Sequence, residues 1–187
     1  MVKQMNETLR TLFERRSVRS YKADPISKSD LETIVAAGKA AASGMNRQPY
    51  HITVVQNPDA IGELSDLVKR QMLKGPMAER AKDPSFSPVY GAPALIIVSA
   101  DPKQGLSTYD STLVMGNMYI GARSLGIGSC WLNIFGVIAD EPEAKEVYAK
   151  LGVPEGYKVI VASCFGYPDG EWPQAREKRN DNVNYLL

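Results

Sequence analysis

Residues 94–99 read Ala94-Leu95-Ile96-Ile97-Val98-Ser99, and this run limits the fold more than any other stretch. Three consecutive β-branched residues suit a strand, and the lack of apolar–polar alternation marks it as a buried one. It is far too short to span a bilayer, and no other apolar run approaches that length. Three more strands are expected around it: His51-Ile52-Thr53-Val54-Val55, Ser129-Cys130-Trp131-Leu132 and Lys158-Val159-Ile160-Val161-Ala162-Ser163.

The intervening segments carry helical periodicity. Leu9, Leu12 and Phe13 predict a helix over 6–15. Ser29 is expected to cap a second helix, with Glu32 closing a capping box and Leu31, Ile34, Val35 and Gly38 as its apolar face. That helix runs into Ala40-Ala41-Ala42 and stops near Gly44. Pro58 and Asp59 open a third, through about Met72. A long helix covers 108–125 and ends at Gly126, and Asp140 is expected to cap another to about Leu151. Residues 74–92 hold Gly75, Pro76, Pro84, Pro88 and Gly91 and are expected to form a long mobile loop. Asn182-Val183-Asn184-Tyr185-Leu186-Leu187 is a strand-like end with no pairing partner nearby. Helices and strands do not alternate regularly, so the fold class is α+β, a central mostly antiparallel sheet flanked by helices. With no repeat and no linker, 1–187 is expected to be a single domain.

Composition excludes whole classes of function. The 187 residues carry 22 Lys+Arg against 21 Asp+Glu, a net charge of +1, so neither a nucleic acid nor a membrane surface is an expected partner. Two distant cysteines, Cys130 and Cys164, without CxxC spacing predict free thiols and a cytoplasmic location. The start of the chain lacks a signal-peptide core. His51 is the only histidine, which leaves no multi-histidine metal site, and a Ser-His-Asp or Cys-His arrangement would have to use it.

Positive charge is local instead. Glu14-Arg15-Arg16-Ser17-Val18-Arg19-Ser20-Tyr21 sets three guanidinium groups within five residues. Crowded like charges need solvent or an anion between them. Arg15, Arg16, Ser17 and Arg19 offer bidentate donors, a hydroxyl and backbone N–H groups, which suit phosphate. A solvated basic loop is the plainer reading. Arg176, Lys178 and Arg179 form a second basic cluster; Arg176 and Lys178 would share one side of an extended chain. Ser43-Gly44-Met45-Asn46-Arg47-Gln48-Pro49 is a polar turn. Asn46 and Gln48 amides could meet a heterocycle edge, or the segment could simply link a helix to a strand. Leu125-Gly126-Ile127-Gly128-Ser129-Cys130-Trp131 leaves a helix and enters a strand. That order is the reverse of a dinucleotide fingerprint, so a Rossmann site is rejected. Cys130 has no cationic neighbour in sequence to activate it. No carboxylate pair stands out as acid and base. An enzyme with so few acid–base groups needs a cofactor to carry the chemistry.

Taken in order, the basic opening RRSVRSY, the turn AASGMNRQPY, the segment GIGSCW and the turn FGYP with its basic tail resemble the FMN-dependent nitroreductase family over nearly the full chain. The resemblance implies an intertwined homodimer with two FMN sites at the interface. Arg15, Ser17, Arg176 and Lys178 would hold the phosphate, with Arg16 alongside. Arg19 falls where the family puts a cation near the flavin N1/O2 edge. Ser43, Asn46 and Gln48 would come from the partner, and backbone N–H near Leu132 and Asn133 would face N5 and O4. Ala42 departs from a common proline, Arg16 from a histidine of some relatives, and Asn133 from a glutamate of one branch. The C-terminal segment would exchange strands with the partner.

The implied chemistry is hydride delivery from NAD(P)H to flavin N5, then ping-pong reduction of a small-molecule electron acceptor such as a nitroaromatic or quinone. Arg19 would act as electrostatic stabiliser, with no protein side chain as catalytic acid or base and no metal. Alternatives keep the fold for dehalogenation, flavin breakdown, or FMN storage and sensing. A phosphate- or nucleotide-binding module without redox chemistry is the reading that discards the resemblance.

Overall fold

The computed structural model describes residues 5–179 and 181–187. Eleven elements order the chain among these residues: α1 (Glu7–Glu14), α2 (Lys28–Lys39), β1 (Tyr50–Val55), α3 (Pro58–Met72), α4 (Ala78–Lys82), β2 (Ala94–Ala100), α5 (Ser107–Ser124), β3 (Gly128–Leu132), α6 (Ile134–Val137), α7 (Pro142–Lys150) and β4 (Lys158–Gly166). A short 3-10 turn, Gly44–Asn46, precedes β1.

The four strands form one sheet in the order β1-β2-β4-β3, and every pairing is antiparallel. The architecture is α+β, with helices on both faces of the sheet. β2 is interior and every one of its residues is buried. Ala94, Ile96 and Val98 point into a core shared with α2 and α5. Leu95 and Ile97 point into a second core with α3 and residues of 135–153. The unalternating run therefore follows from two covered faces, with Leu95, Ile96, Ile97 and Val98 each contributing about 1.5–3 kcal/mol when fully buried.

Close approach between layers depends on small residues. A Cβ on Gly121 of α5 would lie 2.8 Å from the Ala37 side chain of α2, so the two helices pack nearly backbone to backbone. On the other face, Gly136 of α6 sits over the irregularity in β4 near Ile160, where the β2 register shifts.

Several expectations need correction. α2 is capped by Ser27, whose hydroxyl accepts from Asp30 N–H at 3.1 Å, not by Ser29. The Ser29 hydroxyl meets that of Ser27, and Glu32 meets Lys28 one turn back instead of closing a box. Two serines two residues apart look equivalent in sequence; the first takes the cap because Lys28 is already helical. α2 also ends at Lys39, before the alanines. Asp140 caps nothing: α7 starts at Pro142, and Asp140 pairs with Lys158. Residues 74–92 are not a structureless loop. They contain α4 and bury Ala81, Val89 and Ala92 against the core of α3 and α7. Their apolar residues are spaced irregularly, so only the tertiary contact reveals the order. The 182–187 tail forms no strand within this chain, and Leu186 and Leu187 are fully exposed.

Candidate functional site

The basic opening is fixed by its apolar residues. Val18 and Tyr21 are buried, and Tyr21 donates to the Val18 carbonyl at 2.8 Å. Val18 N–H bonds to Ser129 O at 3.0 Å, and Ser17 bridges Ser129 in parallel, which sews the segment to the start of β3. Lys22 N–H to Tyr167 O at 2.9 Å and Asp169 N–H to Ser20 O at 3.0 Å sew its other side to the chain leaving β4. The glycines of the 126–128 segment have different jobs. Gly126, at φ 73°, ends α5, whereas a side chain on Gly128 would collide with Val18 at 2.7 Å.

This stitching brings the two ends of the chain together. Arg15, Arg16, Ser17 and Arg19 line one wall of a cleft of about 370 Å³, and Arg176 and Lys178 line the other. Among the described residues, none of these five cations has a carboxylate within ion-pair distance. Arg179 differs. It makes a two-pronged contact with Asp181, at 2.9 and 3.0 Å, and turns away from the cleft. Arg16 is partly committed: it donates to the Phe13 and Arg15 carbonyls at 2.6 and 2.7 Å, closing the end of α1. Its Nε is buried without a partner among the described residues. Arg15 stacks over Tyr119 at 5.8 Å and Arg19 over Tyr90 at 6.0 Å. A set of unpaired guanidinium groups, an ammonium and a hydroxyl around a shared cleft fits a phosphate dianion.

No cation neighbours Cys130 along the chain, but the fold supplies two. Cys130 stands opposite Cys164 in the β3–β4 register, with both thiols buried. Its thiol is brought down to about 7, first by the hydrogen bond from Cys164, then by Arg19, Ser17 and Arg15, against the effect of burial. Burial pushes Cys164 well up. Arg19 is raised in turn, chiefly by Cys130. His51 is on β1 and Cys130 on β3, at opposite edges of the sheet. Three strand spacings separate them by roughly 14 Å, too far for a Cys-His pair.

Leu132 and Asn133 end β3 and open a smaller pocket of about 160 Å³ with Trp131, Phe86, Tyr90 and Arg80. Tyr90, stacked by Arg19, connects this pocket to the cation cleft. The 74–92 segment thus builds a wall of the site, and its irregular spacing carries no signal of that.

The Ser43–Gln48 turn does not join the cleft within one chain. It lies against the start of α5, in a separate depression with Leu106 and Asp110. Met45, Asn46 and Gln48 hold φ of 52°, 54° and 49°, a left-handed region that non-glycine residues enter at a cost. The turn is pinned at several points. Gln48 N–H donates to the Ser43 hydroxyl at 3.2 Å, the Gln48 amide to Asn46 Oδ1 at 2.9 Å, and Gly44 N–H to the Asp110 carboxylate at 3.2 and 3.3 Å. Asp110 is 5% exposed, and nothing in sequence separates it from the other acids of the chain. No cluster of potential metal ligands occurs among the described residues.

A four-stranded antiparallel sheet flanked by helices, with a cation-lined cleft where the two ends of the chain meet, defines an α+β protein. The profile of the Nitroreductase family matches residues 12–167, and the chain belongs to that family. It is 36% identical over 173 residues to a protein of Archaeoglobus fulgidus assigned as an NADH dehydrogenase/NAD(P)H nitroreductase, covering 89% of this chain and 88% of that one. It is 30% identical over 169 residues to the NADPH-flavin oxidoreductase of Vibrio harveyi, covering 88% of this chain and 67% of the relative. A nitroreductase from Bacteroides fragilis, solved with bound FMN, superposes with a TM-score of 0.93 at 35% identity, over 98% of this chain and all of that one.

Proposed function

We propose that residues 1–187 form one FMN-binding domain that works as an NAD(P)H-dependent oxidoreductase in a homodimer. The observation that carries this reading is the convergence of uncompensated cations from both chain ends on one cleft. Relatives named as an NADPH-flavin oxidoreductase and an NADPH-dependent FMN reductase, and a neighbour solved with FMN, support it.

Arg15, Ser17, Arg176 and Lys178 would hold the phosphate, and Arg16 would offer its free Nε beside them. Backbone N–H near Leu132 and Asn133, and Ser43, Asn46 and Gln48 of the second subunit, would hold the ring. When bound, FMN would supply the redox chemistry, with NAD(P)H as reductant and a quinone or nitroaromatic as the acceptor in a ping-pong scheme. Arg19 would contribute fixed positive charge beside the ring, where it would favour the more electron-rich state. The wall built by Phe86, Tyr90 and Trp131 excludes water and offers flat apolar surface to a planar acceptor.

The dimer rests on surface that one chain leaves bare. α1 buries no residue, and Phe13, Tyr109 and Leu113 are 62%, 69% and 52% exposed. β1 has one neighbour only, and Leu31, Val35 and Val54 line a groove at its open edge. The 182–187 tail of the second subunit would add a strand there. The net charge and paired free thiols favour a cytoplasmic protein without a nucleic-acid partner, and among the described residues no helix is long and apolar enough to cross a membrane.

The test is direct. The purified protein should be yellow, release FMN on heating, and bleach with NADH or NADPH under nitrogen. A colourless protein that gains no bound flavin when FMN is added refutes the reading. Arg19→Ala should slow reduction more than it weakens FMN binding, checked by stopped-flow reduction beside a flavin titration.

A further inference from the structure

Arg123 lies in the last turn of α5, outside the cation cleft, yet it touches the roots of both cleft walls. Its guanidinium donates to Glu14 at 2.8 Å and stacks over the Trp172 ring at 4.1 Å. Glu14 is the residue before Arg15, and Trp172 is the residue before Pro173, where the second wall begins.

The first wall is sewn to β3 at Ser17 and Val18 and the second is rooted by Trp172 against the core, but beyond these points little holds either wall. α1 buries no residue. Among the described residues no hydrogen bond is made by 173–178, and the last backbone bond before them is at Asp169. Pro173 restricts Trp172 to extended backbone, so the seat of the Trp172 ring sets the direction in which the chain leaves for Arg176 and Lys178. The Arg123 side chain is only 20% exposed, and its Nε is buried without a partner among the described residues. A guanidinium in that position is retained only if both remaining contacts are made. The pairing also neutralises Glu14, which would otherwise compete with an incoming dianion for the adjacent arginines.

We propose that Arg123 is a positioning residue that sets the gap between the two walls of the phosphate cleft, through Glu14 on one side and Trp172 on the other. The proposal rests on the reading of that cleft as the FMN phosphate site.

The experiment compares equilibrium binding of FMN and of riboflavin, which lacks the phosphate, to the full chain by flavin fluorescence. Wild type should prefer FMN strongly. Arg123→Ala and Trp172→Ala should each cut the ratio of FMN to riboflavin affinity by about tenfold, the scale of one charge-assisted contact. Arg123→Lys, which keeps the charge, should restore part of it. A general loss of stability would weaken both ligands together and leave the ratio alone. A wild-type ratio in both Arg123→Ala and Trp172→Ala, whatever their melting temperatures, overturns the proposal. A wild type that binds both ligands equally overturns the cleft reading, and Arg123's role with it, before any substitution is made.

Discussion

Cys130 shows how much chemistry a single side chain can acquire from the fold. It faces Cys164 across the sheet and lies near Arg15, Arg19 and Ser17, with Tyr21 and Tyr119 also close to the thiol pair. Its folded value of about 7 lies below its ordinary 9.0. The stabilisation it contributes is therefore fully present above 9.0 and is lost as pH falls through about 7. Thiolate ultraviolet absorbance should show one thiol titrating near 7, removed by Cys130→Ser, while Cys164 stays protonated beyond the usual thiol range. The FMN phosphate would offset the charge of Arg15, so added FMN should move the Cys130 midpoint upward. A midpoint that ignores the anion would mean that the thiol and the cleft are electrostatically separate.

The elements act through their junctions. α6 is only four residues long, yet it follows Leu132 and Asn133 directly and fixes where β3 ends. Its seat depends on Gly136, where a Cβ would stand 2.6 Å from the Ile160 carbonyl oxygen. Backbone cannot swing away as a side chain can, so Gly136→Ala should cost about 1–3 kcal/mol in urea unfolding. It should also shift the Leu132–Asn133 turn and weaken flavin binding. An unfolding midpoint equal to wild type would show that α6 is free to lift off β4. The 74–92 segment makes the complementary point. Its prolines and glycines marked it as irregular, but the packing of Ala81, Val89 and Ala92 makes it a wall, not a loose flap.

At the scale of the whole molecule, one chain carries half of the proposed site. The Ser43–Gln48 turn is rigid, pinned by Asp110, and lies away from the cations of its own chain. In the proposed dimer it would meet the cations of the second copy instead. Deleting residues 182–187 should therefore raise the protein concentration at which dimers dissociate and release flavin in parallel, read by light scattering and ultrafiltration. A full-length protein that stays monomeric at micromolar concentration while holding FMN would refute the shared site.

By itself the sequence determined the local order of this protein. Helix α3 and strands β1, β2 and β4 follow from periodicity and β-branching, because those signals report on neighbours a few residues apart. It also indicated which residue types could hold an anion. Only the tertiary structure decided that Arg15 and Arg176 share one cleft while Arg179 turns to Asp181, that two distant thiols face each other, that Arg123 meets both Glu14 and Trp172, and that Asp110 pins the Ser43–Gln48 turn. Apart from the local Arg179–Asp181 pair, those relations join residues tens to more than a hundred positions apart, and packing and hydrogen bonds set them where no spacing rule reaches.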